Sequence, residues 1–130
     1  MGISSNGILV FGFPIGEENE TPEFLEEAGV EDIDEFIDNE LGLNDASVDE
    51  CLAARKTYPV DVTSYCSYEY PMHILAVRGT EITVHRGYSK EITPEHLAVA
   101  PERISAFKAW CETHGIEYQE PKWLLCSMYG

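Results

Sequence analysis

Lysine and arginine are absent from the first 54 residues of this 130-residue chain, although the same stretch holds 15 of its 24 acidic residues. That stretch therefore carries a formal charge of −15, while the remaining residues, with nine acids and eight bases, carry −1. A protein that binds DNA or RNA needs bases to neutralise phosphates, and these eight bases form no stripe in the sequence. We therefore expect no direct contact with nucleic acid, and anionic lipid headgroups are disfavoured for the same reason.

Long apolar runs are also missing, because the longest, residues 8–15, is interrupted by Gly12 and Pro14. A helix needs about 20 apolar residues to span a bilayer, so we expect no membrane segment. The N-terminus lacks the basic region of a secretory signal, which favours the cytoplasm as the location. No two cysteines form a CxxC pair, and a reducing cytoplasm favours free, mostly buried thiols over disulfides. These residues are Cys51, Cys66, Cys111 and Cys126.

The motifs of several common enzyme classes are not found: there is no P-loop, dinucleotide fingerprint, GxSxG elbow or HExxH pair. Asp32, Asp34 and Asp38 match three ligand positions of an EF-hand. However, Phe36 and Ile37 stand where that loop needs an oxygen ligand and a glycine. We therefore predict no catalytic residue, no metal site and no cofactor.

The order of the predicted elements is typical of an α+β fold, which we expect to form a single domain over residues 1–130. The predicted strands are 8–13, 60–65, 73–77, 81–85 and 123–128, and the predicted helices cover 22–29, 32–42, 45–58 and 101–114. The first and last strands are the most apolar, so we expect them to be central neighbours in a mostly antiparallel sheet. Residues 78–80, Arg-Gly-Thr, are predicted to turn a β-hairpin.

Residues 17–54, which we name the acidic helical segment, are predicted to be mostly helical and to pack on that sheet. Thr21, Asp32 and Asp45 stand at the predicted N-caps of its three helices. The second helix has one apolar face, formed by Ile33, Phe36, Ile37 and Leu41. The inward residues of the third are predicted to be Val48, Cys51 and Leu52. For the helix at 101–114 the predicted inward residues are Ile104, Phe107, Trp110, Cys111 and His114.

Glu31, Asp34, Glu35 and Asp38 follow the spacing 0, 3, 4, 7 opposite the apolar face of the second helix. These carboxylates span roughly 10 Å at ~1.5 Å per residue, or about one charge per 3.5 Å, close to the ~3.4 Å spacing of phosphates along a DNA strand. No base stands at i+4 to relieve the repulsion between these carboxylates. An alternative explanation is that this face of the helix only contacts solvent and keeps the protein soluble. We predict that these four residues bind a basic partner, together with Glu23 and Glu27 of the first helix.

Residues 64–73 support two alternatives. In the first, the chain is an unrecognised small enzyme or ligand-binding protein, with Cys66 as nucleophile and His73 or His85 as base. In the second, it is an assembly protein or a homo-oligomer, such as a homodimer, whose interface uses the strands and a group of tyrosines. Those tyrosines are Tyr65, Tyr68 and Tyr70.

Residues 1–13, MGISSNGILVFGF, and residues 121–130, PKWLLCSMYG, resemble the ends of small, uncharacterised proteins encoded by bacteriophages. The resemblance implies a setting in the cytoplasm of an infected bacterial cell. Small acidic phage proteins are similar to nucleic-acid mimics that block restriction, CRISPR or other defence complexes. By this analogy, the leading hypothesis is a phage accessory protein that binds and inhibits a nucleic-acid-binding defence protein of the host.

Overall fold

The computed structural model describes residues 5–16, 20–67 and 69–129. In these residues the fold is α+β, with four helices and one mixed five-stranded sheet. The elements are β1 (Ser5–Ile15), α1 (Glu23–Ala28), α2 (Ile33–Glu40), α3 (Val48–Thr57), β2 (Val60–Ser67), β3 (Pro71–Val77), β4 (Ile82–His85), α4 (Pro101–Thr113) and β5 (Lys122–Tyr129).

The strand order is β3-β2-β5-β1-β4. The first and last strands are neighbours, as predicted, because β1 pairs antiparallel with β5 over eight positions from Ser5–Tyr129 to Gly12–Lys122. The sheet is mixed because β2 runs parallel to β5, with Ser67 opposite Tyr129. An additional antiparallel pairing between β1 and β3 joins the two sides of the strand order, so the sheet curls onto itself.

The predicted hairpin at residues 78–80 is wrong. Within residues 71–85, β3 and β4 follow one another along the same strand, β1, to which both are antiparallel. Between them, Gly79 has a left-handed φ of 82°. The Thr80 hydroxyl donates to the Val77 carbonyl at 2.8 Å and accepts the Phe11 N–H at 3.2 Å. This side chain satisfies a backbone group of β1 where the pairing is interrupted by the turn at residues 78 and 79.

Gly12 lies where β1 and β3 approach each other most closely. A Cβ atom at this position would stand 2.2 Å from the Leu75 carbonyl oxygen and 2.8 Å from the Ala76 Cα. Both atoms belong to the backbone of β3, so neither can turn away as a side chain does. The pairing of Gly12 with Ala76 therefore requires glycine.

The sheet has a core on each face. The larger core is formed by the helices with one sheet face, and its fully buried residues include Ile37, Val60, Leu75, Phe107 and Cys111. The smaller core, on the opposite face, contains Val10, Ile74 and Ala76, packed against Tyr65, Leu124 and Cys126. The predicted inward side of the last helix is confirmed at Phe107, Trp110 and Cys111, whereas Ile104 and His114 are half-buried.

The three N-caps predicted for the acidic helical segment agree with the structure in one case, whereas α4 starts at Pro101 as predicted. The Asp32 side chain caps α2 by accepting the Glu35 N–H at 2.8 Å. The predicted cap at Thr21 is wrong, because α1 starts after Pro22, which makes no side-chain cap bond. The cap predicted at Asp45 is also wrong, because the Ser47 hydroxyl accepts the Glu50 N–H at 3.2 Å and α3 starts later.

The predicted inward face of α3 is wrong as well. Val48 is 74% exposed and Leu52 is 48% exposed, and α3 has no buried residue. Cys51 is half-buried, with its thiol 3.6 Å from the Leu43 carbonyl oxygen. α3 contacts α2 through the pair of Arg55 with Asp38, and the loop between these two helices through the Cys51 thiol and the Leu43 carbonyl.

Candidate functional site

The acidic helical segment turns most of its carboxylates to solvent over its described part, residues 20–54. The residues that anchor it are apolar and buried, namely Leu25, Val30, Ile33 and Ile37. The exposed acids include Glu20, Glu23, Glu26, Glu27, Glu31, Asp32, Asp34, Glu35, Asp45, Asp49 and Glu50. Because the apolar side of each anchored helix is buried, the negative charge is concentrated on the outer side.

The four predicted α2 carboxylates fall into two pairs. Glu31 and Glu35 are exposed, and the Glu35 carboxylate accepts a long hydrogen bond of 3.5 Å from the neighbouring Glu31 N–H. Acids in the first turn also interact favourably with the positive end of the helix dipole, which stabilises α2 without a cation. These two side chains are available to a partner.

Asp34 and Asp38, in contrast, meet arginines from other elements. Asp38 accepts from Arg55 of α3 at 2.5 and 3.2 Å, a bidentate pair in which both side chains are largely covered. This hydrogen bonding to Asp38 raises the pKa of Arg55. Asp34 lies 3.7 Å from Arg78, which follows β3. The repulsion along the α2 stripe is therefore relieved across the fold, by bases that sequence spacing on one helix does not reveal.

Glu23 and Glu27 of α1 line an open cavity of about 460 Å³. Glu117 adds a third acidic residue, and Phe13 and Phe24 also belong to its lining. We name this site the acidic cavity. Acidic residues in a concave site suit a cationic side chain such as lysine or arginine.

A polar network joins the end of α2 to α4. The Trp110 indole N–H donates to the Tyr58 hydroxyl at 2.6 Å, and Tyr58 in turn donates to Glu40. Burial and the bond to Glu40 raise the pKa of Tyr58, so this phenol stays protonated. His114 lies 2.6 Å from the other Glu40 oxygen and stacks on Trp110 with ring centroids 4.2 Å apart. Glu40 thus has a structural role that no local pattern in the sequence indicates.

The residues of the enzyme alternative do not meet. His73 hydrogen-bonds to Ser64, with Nδ1 3.0 Å from the hydroxyl oxygen, and burial lowers the pKa of this imidazole. Cys66 lines a cavity together with Cys126, and neither His73 nor His85 belongs to the lining of that cavity. His85 lies 3.3 Å from Asn6 near the start of β1. These three described residues therefore do not bring a cysteine nucleophile next to a histidine base.

The tyrosine group is also divided. Tyr65 packs against the smaller core, whereas Tyr70 is exposed. Tyr68 lies outside the described residues. The exposed apolar side chains that the structure adds, Val48 and Leu52, occupy the same side of α3 one turn apart, next to Asp49. The sequence spacing predicted both to face inward, because apolar spacing does not show whether another element covers that side of the helix.

Among the described residues, no group of three or more His, Cys, Asp and Glu side chains is arranged to hold a metal ion. None of the four described helices has the length and apolar character needed to cross a membrane. No protein-family model, curated protein or solved structure matches the chain.

Proposed function

We propose that this protein binds a basic protein partner through the acidic helical segment. The observation that carries the proposal is that residues 20–54 expose a series of carboxylates without a single lysine or arginine among them. A helix selected for stability alone would intersperse bases at i+4, because such pairs relieve repulsion. A basic partner supplies the missing positive charge from outside.

Glu23, Glu27, Glu31 and Glu35 are the strongest contact residues of the proposal. All four are exposed, and two of them line the acidic cavity, into which an arginine or lysine side chain fits. Asp34 and Asp38, the other two residues predicted to bind the partner, contribute less. Asp38 is paired with Arg55, and Asp34 lies near Arg78. The partner therefore meets α1 and the first turn of α2 before the rest of the stripe.

Apolar contacts complete the proposed surface. Val48 and Leu52 are exposed on α3, beside Asp49 and Glu50. Apolar side chains at the centre of an interface provide much of the affinity, while surrounding charges steer association and add specificity. A partner that combines basic and apolar residues suits this surface better than a purely basic peptide.

Nucleic-acid-binding proteins of a bacterial host are the class of partner that we favour. Their grooves are rich in lysine and arginine because they neutralise phosphates, so a row of carboxylates can take the place of the nucleic acid. The resemblance of the chain ends to phage-encoded proteins supports an inhibitor of a host defence complex that acts in the bacterial cytoplasm.

The test is affinity capture from a bacterial lysate with three forms of the protein. The first is the unaltered chain, and the second carries Glu23→Lys, Glu27→Lys, Glu31→Lys and Glu35→Lys. The matched control makes the same charge change at exposed glutamates of the other half, with Glu91→Lys, Glu95→Lys, Glu112→Lys and Glu120→Lys. Circular dichroism checks that all three are folded.

A nucleic-acid-binding protein should be captured by the unaltered chain and by the control but not by the first variant. Its capture should fail in high salt, because ions screen interactions between exposed charges beyond about 8 Å at physiological strength and beyond about 3 Å at 1 M. Equal loss of capture in both variants would show that only total charge matters, and the proposed surface would be wrong.

Self-association is the second candidate function, favoured by an uncovered apolar row on the sheet. Leu125 of β5 is 81% exposed and lies opposite Leu9 of β1, which in turn pairs with Ile82 of β4. In this reading the acids serve solubility only. Light scattering tests it: a stable dimer that Leu125→Ser converts to monomer supports self-association, and a monomer at all concentrations excludes it.

A further inference from the structure

Three of the eight bases of this acidic protein converge on one cavity, although they are far apart in the sequence. Lys56 lies at the end of α3, Arg78 follows β3, and Arg103 belongs to the first turn of α4. All three line a cavity of about 390 Å³. The rest of its lining is largely apolar, formed by Tyr58, Pro59, Val77 and Ala106, with Thr57 and Glu102. The cavity thus has a cationic part and an apolar part.

Arg78 is held beside the cavity by the backbone of β2 and by two carboxylates. Its Nε donates to the Val60 carbonyl at 3.1 Å, which fixes the guanidinium. Its buried Nη2 lies 3.7 Å from the carboxylates of Asp34 and Asp61, which do not line the cavity. Arg78 therefore adds positive charge at the edge of the cavity and is not assigned as a direct contact of the ligand.

Arg103 is held over the turn that follows β3. Its Nη2 donates to the Arg78 carbonyl, and a Cβ on Gly79 would stand only 3.2 Å from that nitrogen. A guanidinium has five N–H donors, so this bond leaves others for a ligand. The same cavity receives the first turn of α4, a 13-residue helix whose N-terminus has no side-chain cap. The helix dipole adds positive potential there, which offsets the Glu102 carboxylate.

We propose that this cavity binds a small organic anion. Its phosphate or carboxylate group contacts Lys56 and Arg103, and its apolar part packs against Pro59, Val77 and Ala106. This site lies outside the surface proposed for the basic partner, so either can fail without the other. The net charge of the protein is −16, but at physiological salt charges beyond about 8 Å are screened. Asp34 and Asp61 offset the charge of Arg78, so the positive charge open to a ligand is that of Lys56 and Arg103.

The test is an NMR titration of the full chain with phenyl phosphate, benzoate and inorganic phosphate at constant ionic strength. We expect saturable shifts confined to residues 56–59, 77–79 and 102–106, with a Kd of about 1 mM or tighter for phenyl phosphate. Benzoate distinguishes a carboxylate from a phosphate ligand. Inorganic phosphate, which lacks the apolar part, should bind about tenfold more weakly.

Lys56→Gln and Arg103→Gln test the cationic part, since both side chains are exposed and their removal leaves the core intact. Each should weaken phenyl phosphate binding by about tenfold, because a hydrogen bond to a charged group is lost. Lys90→Gln is the control, with the same charge change at an exposed position of the loop before α4. Shifts that do not saturate, or an equal loss in the control, would overturn the proposal.

Discussion

The sheet and the acidic helical segment differ in how much of each is buried. In β1, Val10 and Phe13 are buried and Gly12 has no space for a side chain. In α3 no residue is buried, and in α1 Leu25 alone is. The sheet is therefore a closely packed scaffold, whereas the segment covers it through a few apolar anchors and presents the rest of its surface to solvent.

This difference teaches where stability and binding are located. The segment is held by its buried anchors and by three polar connections, namely the pair of Asp38 with Arg55, the pair of Asp34 with Arg78 and the network around Glu40. Asp32 also caps α2. The outward carboxylates of the segment add charge but no packing. We therefore expect substitutions in the sheet to change stability strongly, and substitutions on the outer side of the segment to change binding instead.

Gly12→Ala should have the largest effect on stability. The added Cβ would stand 2.2 Å from the Leu75 carbonyl oxygen, so β1 and β3 must separate. We expect a loss of about 3 kcal/mol or more, measured by urea unfolding. Gly7→Ala is the control, since its Cβ meets only the Val84 side chain at 3.0 Å. If both variants unfold at the same urea concentration, the close approach of β1 and β3 is not a constraint.

Tyr58→Phe should have the next largest effect, because it leaves Glu40 and the Trp110 indole without their shared partner. We expect a loss of about 2 kcal/mol near pH 8. The loss should shrink at alkaline pH. The pKa of Tyr58 is raised from 10.0 in the folded state, so above pH 10 the unfolded state releases this proton first and the unaltered protein loses stability.

Urea unfolding at several pH values between 8 and about 11 measures this convergence. The stability of the Tyr58→Phe variant should fall less steeply above pH 10, because it lacks this phenol. A constant difference between the two proteins across that range would mean that Tyr58 titrates alike in both states.

Asp38→Asn should have an intermediate effect, because it breaks the bidentate pair with Arg55 that joins α2 to α3. The matched variant Glu31→Gln also removes one negative charge near α2, but its side chain has no cationic partner in the described residues. We expect the urea midpoint to fall for Asp38→Asn and to stay nearly unchanged for Glu31→Gln. The reverse order would place the exposed acid, and not the paired one, in a structural role.

Val48→Ser combined with Leu52→Ser should have the smallest effect on stability, within about 0.5 kcal/mol, because both side chains are largely exposed already. Affinity for a captured basic partner should nevertheless fall, because the proposed interface loses its apolar centre. A large loss of stability would show that these side chains pack inward.

Local signals in the sequence predicted much of this fold. The apolar runs of β1 and β5 and the apolar spacing of α4 led to the correct elements, and Asp32 was recognised as the cap of α2. Each of these depends on residues close in sequence, or on apolar character alone. The candidate carboxylates were equally visible, because uncompensated charge is a property of composition.

Contacts between distant residues could not be predicted. Arg78 appeared to belong to a hairpin turn, whereas in the fold it meets Asp34 and lies beside Lys56 and Arg103. The turn before β4 places Thr80 against Phe11, 69 positions away. The burial of α3 was misjudged because apolar spacing does not reveal whether another element covers the helix.

Hydrogen exchange of the protein alone and with the captured partner tests the central claim most directly, because it locates the contact surface residue by residue. We predict that binding protects amides in the described part of the acidic helical segment, above all α1 and the first turn of α2, while β5 is unchanged. Protection confined to β1, β4 and β5, around Leu125, would contradict this claim. It would place the interface on the apolar row formed by Leu125, Leu9 and Ile82.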